Sequence, residues 1–211
     1  MKPLKLLRIS SVFIGLGLLT SCDFGGSSGG GSSAPTPQTI LVMGDSISEG
    51  GFYGEIPWPA LLNGMVAEWT VVNRSRGGEQ MQQGASRMPG ILASVNPNSV
   101  VIFYGSNNAI QSNTAAFEGG LRSAIQSAKN AGATNIVVCT IPPMFGGRSI
   151  FNGNVNIINQ TIPVVASEMG ARVAYVDREF DPVSSVDLFP DGLHPNQDGH
   201  AIIAVTVREQ L

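Results

Sequence analysis

Both histidines of this 211-residue chain fall in one short stretch, Asp191-Gly192-Leu193-His194-Pro195-Asn196-Gln197-Asp198-Gly199-His200. An imidazole titrates near neutrality, so the stretch could bind a metal, move protons, or simply open a helix. The spacing of His194 and His200 lies within the range of zinc-binding pairs. Structural zinc sites usually add cysteines, however, and the chain has only Cys22 and Cys139. A catalytic zinc pair of the His-Glu-x-x-His kind needs both rings on one helix, and Pro195 disfavours helix at His194. No metal is expected. His200 shares a face with Ile203, Ala204, Val207 and Leu211 at helical spacing, so a packed or hydrogen-bonded role inside a closing helix is expected of it. His194 lies in the preceding loop, three residues after Asp191. That spacing lets the carboxylate reach the far ring nitrogen, fix its tautomer and stabilise the imidazolium. His194 is the candidate base.

A base of this kind needs a nucleophile. A serine hydroxyl suits it, being weak alone and activated by an adjacent imidazole. The serine-hydrolase pattern G-x-S-x-G occurs twice, in overlapping frames from Gly25 and Gly26, but no strand precedes it and no helix follows. Ser46 lacks the second glycine yet stands directly after the apolar run "TILVMG" and before a helical pattern.

Five short β-rich runs alternate with helical patterns: 39–44, 70–75, 99–105, 135–141 and 172–177. They are continuous apolar runs, the signature of parallel strands covered on both faces. Between them lie helical patterns near 55–68, 80–95, 114–131 and 154–169, with a last one near 197–210. Leu121, Ile125 and Ala128 mark one clear apolar stripe. A three-layer α/β domain follows, and such domains place their sites at the carboxyl ends of the strands. There stand Gly44-Asp45-Ser46, then Asn73-Arg74-Ser75-Arg76-Gly77-Gly78, then Gly105-Ser106-Asn107-Asn108, and after the fifth run Asp191 and His194. A serine, a glycine-rich turn, a carboxamide and an Asp/His pair should therefore converge on one edge. Backbone N–H groups and an amide there can stabilise an oxyanion, each donor worth about 3–4 kcal/mol. Gly78 and Asn107 could also serve only as turn residues.

These four blocks, "GDSIS", "NRSRGG", "GSNNA" and "DGLHP", resemble those of the GDSL-type or SGNH hydrolases over about Thr39 to Ala204. "WPALL" (58–62) and "QQG" (82–84) are similar to the thioesterase I/lysophospholipase L1/arylesterase branch. The resemblance implies a flavodoxin-like α/β/α fold with a five-stranded parallel sheet of order 2-1-3-4-5. It implies Ser46, Asp191 and His194 as catalytic residues, with Ser46, Gly78 and Asn107 as oxyanion donors. Two positions depart from that branch. Asn108 stands where aspartate is usual, so altered local hydrogen bonding is expected with activity retained. Gly77 stands where serine is common, which loosens the expected turn at Gly78.

Around this domain, 38–211, the amino-terminal residues have another character. Lys2, Lys5 and Arg8 precede the apolar run Val12–Leu19 and then Leu19-Thr20-Ser21-Cys22. That pattern reads as a signal peptide over 1–21. Ending on Cys22, it resembles the lipobox of bacterial lipoproteins, which implies lipidation of Cys22 and a place in the bacterial cell envelope, outside the cytoplasm. Residues 22–37, rich in Gly, Ser and Pro after Cys22, have the composition of a flexible tether. Cys139, in "NIVVCTIPP", is then a lone thiol suited to burial. Without the three leader cations, nine basic residues face fifteen acidic ones, a formal charge of −6, and no basic cluster invites nucleic acid.

The expectation is a lipid-anchored serine esterase on short to medium acyl esters. It needs no cofactor and no obligate protein partner. An acetyl esterase on polysaccharide and a lysophospholipase or thioesterase are alternatives, as is a non-catalytic binding lipoprotein of the same fold. Within the domain, Arg148 is expected to be solvated more than substrate-bound. Met144, Phe145 and Phe151, in an expected loop over 142–154, either wall an acyl pocket or simply pack. Trp58 is expected in the core or at the rim.

Overall fold

The computed structural model describes residues 38–211. The leader, Cys22 and the tether lie outside the described residues.

Five strands form one parallel sheet: β1 (Gln38–Gly44), β2 (Trp69–Asn73), β3 (Ser99–Phe103), β4 (Asn135–Cys139) and β5 (Arg172–Ala174). Their order is 2-1-3-4-5, as the resemblance implies. β3 is buried throughout and β4 from Ile136 onward, which explains why 100–103 and 136–139 are continuously apolar instead of apolar at every second position. The edge strands β2 and β5 are only half-buried and correspondingly more polar.

Between the strands lie α1 (Ser46–Glu49), α2 (Trp58–Met65), α3 (Met81–Val95), α4 (Ser106–Ile110), α5 (Thr114–Asn130), α6 (Asn152–Glu168) and α7 (Gln197–Arg208). Parallel crossovers are right-handed, so the chain's reversal of direction at β1 puts α2 on one face and α3, α5 and α6 on the other. α2 packs on α7, while α3, α5 and α6 form a contiguous row. The expected stripe on α5 is buried, widened by Phe117, Gly120 and Ala124.

That reversal leaves a crevice above β1 and β3, where side chains from several loops can meet. The register fixes who meets there. Gly44 pairs with Phe103, so Ser46 and Ser106 emerge side by side. Past the end of β2 the ladder continues into the next turn, with Arg74 N–H donating to Val42 O and Arg76 N–H to Gly44 O. The Gly77-Gly78 turn is thereby held against the Ser46 end of β1.

The expected 142–154 loop is shorter than its sequence suggests. A 3-10 turn covers Gly146–Phe151 and α6 begins at Asn152. Asn152 accepts from the Met144 N–H and donates to the Met144 carbonyl, closing the segment on itself. Met144 and Phe145 are buried, and Phe145 stacks on Phe189 at 4.8 Å, so both are packing residues. Trp58 is fully buried and donates its indole N–H to Ser48 Oγ. Cys139 is fully buried, and burial pushes its thiol pKa far up.

Candidate active site

Ser46 is the first residue of α1, fixed by the Asp45 cap, whose Oδ1 accepts the Ile47 N–H. Ser46 Oγ lies 3.0 Å from His194 Nε2. The opposite ring nitrogen, Nδ1, lies 2.7 Å from Asp191 Oδ2. Asp191 also ties its own turn, Oδ1 accepting the N–H groups of Leu193 and His194 at 2.9 and 2.8 Å. Partial burial works to raise its pKa, but these donors and the His194 ring outweigh it and hold the carboxyl at about 2. The carboxylate is thus ionised wherever the imidazole can act as a base, and the ring can accept a proton at Nε2 only.

The turn itself depends on Gly192, which has φ +79°. A Cβ there would stand 2.3 Å from the Phe145 carbonyl oxygen. The Gly192 carbonyl in turn accepts the Phe145 N–H at 2.9 Å. Arg148, expected to be solvated, is 40% exposed and also braces this turn. Its Nε donates to the Asp191 carbonyl at 3.1 Å, and its guanidinium stands 3.9 Å from Oδ2.

The two candidate donors beside Ser46 are also in place. Gly77 is close enough that a Cβ on it would lie 3.7 Å from Ser46 Cβ. Asn107 Nδ2 donates to the Glu79 carbonyl at 3.0 Å, which sets its side chain against the Gly78-Glu79 turn and leaves its second amide hydrogen free. Among the described residues, neither the Ser46 nor the Gly78 N–H has a protein acceptor. These donors are fixed by the fold and unspent, as an oxyanion-binding group must be.

Gly77 does not loosen its turn. The Glu49 carboxylate occupies the space of a side chain there and accepts the Gly77 N–H at 2.8 Å. Glu79, largely buried, receives a bidentate pair from Arg87 at 2.6 and 2.7 Å and the Tyr104 hydroxyl at 3.1 Å. Nothing local in the sequence signals Glu49, Glu79, Arg87 or Tyr104 as supports of this turn. Each finds its partner only through the fold.

Asn108, the other departure, is fully buried. Its Oδ1 accepts the Met81 N–H at 2.9 Å, while Nδ2 donates to Asn113 O and Gln82 Oε1 at 3.1 and 3.0 Å. An aspartate could accept but not donate. Asn108→Asp is therefore expected to lower stability by about 1 kcal/mol, because two partly buried acceptors lose their donor. A drop in the urea midpoint checks this, and an unchanged midpoint would contradict the donor role.

Asp45 is buried with Oδ2 unpartnered among the described residues. Burial raises its pKa from 3.8 to about 7, against the N–H groups of Ile47 and Ser106. The folded state therefore holds a proton that the unfolded chain releases at lower pH. The stability this gives is complete below about pH 4 and lost as pH rises through about 7. Asp45→Asn keeps the cap and removes the titration. Its stability relative to the parent is expected to grow by roughly 2 kcal/mol between about pH 5 and pH 8, measured by urea denaturation at both.

His200 does not hydrogen-bond Ser46. It is buried on α7, its Nδ1 accepting the Trp58 N–H at 3.3 Å and its Nε2 lying 3.3 Å from Glu55 Oε1. The two histidines thus serve separate partners. Among the described residues, no three His, Cys, Asp or Glu side chains gather in a way that could hold a metal ion.

Comparison with known proteins places the chain in a family. The model of the GDSL-like lipase/acylhydrolase family matches residues 42–202. Thioesterase 1/protease 1/lysophospholipase L1 of Escherichia coli is 30% identical over 182 residues, covering 84% of this chain and 85% of that protein. Esterase TesA of Pseudomonas aeruginosa is 32% identical over 167 residues, covering 75% and 80%. The crystal structure of TesA superposes with a TM-score of 0.69 at 28% identity, over 82% of this chain and 98% of that one. An acetylxylan esterase from Geobacillus stearothermophilus shares the fold, with a TM-score of 0.70 at 18% identity over 82% and 93%.

Proposed function

We infer roles, substrate and setting from one premise: the chain belongs to the GDSL-like lipase/acylhydrolase family and is a serine hydrolase acting on ester bonds. Ser46 is the nucleophile, His194 the general base and then acid, and Asp191 the group that orients the ring. The observation that carries these roles is the unbroken relay from Ser46 Oγ through both nitrogens of His194 to Asp191. Ser46 Oγ attacks the ester carbonyl as its proton passes to Nε2, and the Asp191 carboxylate stabilises the imidazolium. The carbonyl oxygen, now an anion, takes the N–H groups of Ser46 and Gly78 and the Asn107 amide. Collapse expels the alcohol, protonated by His194, and water then releases the acid by the same steps in reverse.

The substrate proposed is a carboxylic ester with a short to medium acyl chain. The relay lies near the surface, with the Asp191 side chain one-third exposed, and an open cleft of about 550 Å³ beside it is lined by Phe145, Gly146, Val186, Phe189 and Asp191. Relatives named thioesterase, lysophospholipase and arylesterase support the breadth of that class. The setting proposed is the bacterial cell envelope, with the chain anchored outside the cytoplasm by lipid on Cys22. No helix among the described residues is long and apolar enough to cross a membrane.

An acyl-chain series of p-nitrophenyl esters, run beside acetylated sugars and a lysophospholipid, tests the substrate. Turnover is expected to peak at short to medium chains without added metal. Turnover confined to long chains would overturn the assignment. Labelling of Ser46 by a fluorophosphonate, located by mass spectrometry, separates an acyl-transferring enzyme from a binding protein of the same fold.

A further inference from the structure

The segment Gly51–Glu55 lies against the His194–Asp191 pair without belonging to the relay. Phe52 packs flat on the His194 imidazole, centroids 3.8 Å apart and planes 14° from parallel, although half of the Phe52 surface is exposed. Tyr53 stands beside Asp191: its phenol pKa is raised by desolvation and then by the Asp191 charge. An aromatic ring half in water does not keep such a position by its own burial. Something must hold the segment.

The holding group is Glu55. Its side chain, only 3% exposed, turns back into the loop and accepts three backbone N–H groups, from Gly51 at 2.6 Å, Phe52 at 3.0 Å and Tyr53 at 2.6 Å. Burial works to raise the Glu55 pKa, yet these donors prevail and lower it to about 2, so the clamp is charged over the whole working range of an esterase. His200 holds the carboxylate from the other side. Because Nδ1 accepts the Trp58 N–H, the ring is the tautomer with hydrogen on Nε2, and that nitrogen stands 3.3 Å from Glu55 Oε1. Gln197, a turn earlier on α7, accepts the Ile56 N–H at 3.0 Å. One helix therefore carries both the end of the His194 loop and the anchor of the segment that covers His194.

We propose that Glu55 and His200 are positioning residues for catalysis: together they clamp the Gly51–Glu55 segment so that Phe52 holds the His194 ring in line between Asp191 and Ser46. The proposal rests on the reading of His194 as the base. Without the stacked ring, the imidazole can tilt about its side-chain bonds, and the Nε2-to-Oγ line is lost for part of the time. Misalignment of a reacting pair costs rate more than it costs binding.

The test uses the full chain, with active sites counted by fluorophosphonate so that only folded protein enters kcat. Phe52→Ala and His200→Ala are each expected to lower kcat on a short acyl ester about 10- to 100-fold, since small displacements cost this much, with KM moved less than about threefold. Phe52→Tyr, which keeps the ring, is expected to restore kcat. The double variant is expected to be no worse than His200→Ala alone, because both act through one segment. A purely structural His200 would lower the melting temperature and leave the titrated kcat at the parent value, and that outcome overturns the proposal. So does a normal kcat for Phe52→Ala, a surface variant whose folding is not at issue. Substantial activity in His194→Ala would instead defeat the underlying assignment of the base.

Discussion

Replacing Ser46 by alanine is expected to lower kcat by roughly 10⁴–10⁶, the loss seen when a member of a nucleophile–base–acid set is removed. The size follows from the geometry. Among the described residues, Ser46 Oγ is the one hydroxyl that hydrogen-bonds His194 Nε2, and no other group offers a substitute nucleophile at that nitrogen. Cys139, the one thiol of the domain, is buried in β4 with its pKa pushed far up. What remains in Ser46→Ala is the contribution of the oxyanion donors and of substrate binding. The Ser46 N–H survives the substitution, as do Gly78 and Asn107, so KM is expected to change little. Steady-state kinetics on a short p-nitrophenyl ester checks both numbers. Turnover near that of the parent would remove Ser46 from the chemistry altogether.

Asp191→Asn is expected to cost roughly 10²–10⁴ in kcat, through the tautomer of His194 and not through any loss of shape. An asparagine can still accept the Leu193 and His194 N–H groups through Oδ1, so the turn should persist. Its amide, however, now faces Nδ1 as a donor. The ring then carries its hydrogen on Nε2, pointing at the hydroxyl whose proton it must take. The proton-accepting lone pair is turned the wrong way. Arg148 adds to the effect, since its guanidinium stands near a carboxylate that is no longer charged. A kcat within threefold of the parent would mean that Asp191 only shapes the loop, in which case Arg148 and the Gly192 turn would suffice to hold His194.

Much of this site could be read from the residues before any coordinates. The central strands announce themselves because a buried parallel strand is apolar at nearly every position, and the candidate site residues stand where such a sheet exposes its loops. The choice of His194 over His200 needed only Pro195 and the helical spacing behind it. The supports were hidden for a physical reason. Glu55 and His200 lie 145 positions apart, and Trp58 reaches His200 across 142, so no local pattern connects them. The carboxylate that ties Gly77 comes from α1, and the guanidinium that ties Glu79 comes from α3. Arg148 looked like a solvated cation because its partner is a backbone carbonyl, which every residue has. The 142–154 segment looked like a loop because it is rich in Gly and Pro, while its closure by Asn152 onto Met144 is a side-chain bond to the main chain that composition does not reveal.

The Asp191–His194 turn is complete within four residues, its carboxylate bonded to its own backbone and its own ring. The nucleophile arrives from elsewhere, across 148 positions of chain and through one side-chain hydrogen bond. The relay is therefore the seam between the first strand and the last loop. Under mild denaturant the loop before α7 can part from Ser46 while the sheet stays folded, since this hydrogen bond, the Phe52 stack and the bonds to Phe145 and Arg148 together hold less than a core. Hydrolysis should then fail well before circular dichroism reports any loss of helix, which makes activity the most sensitive gauge of whether the carboxyl-terminal segment is seated.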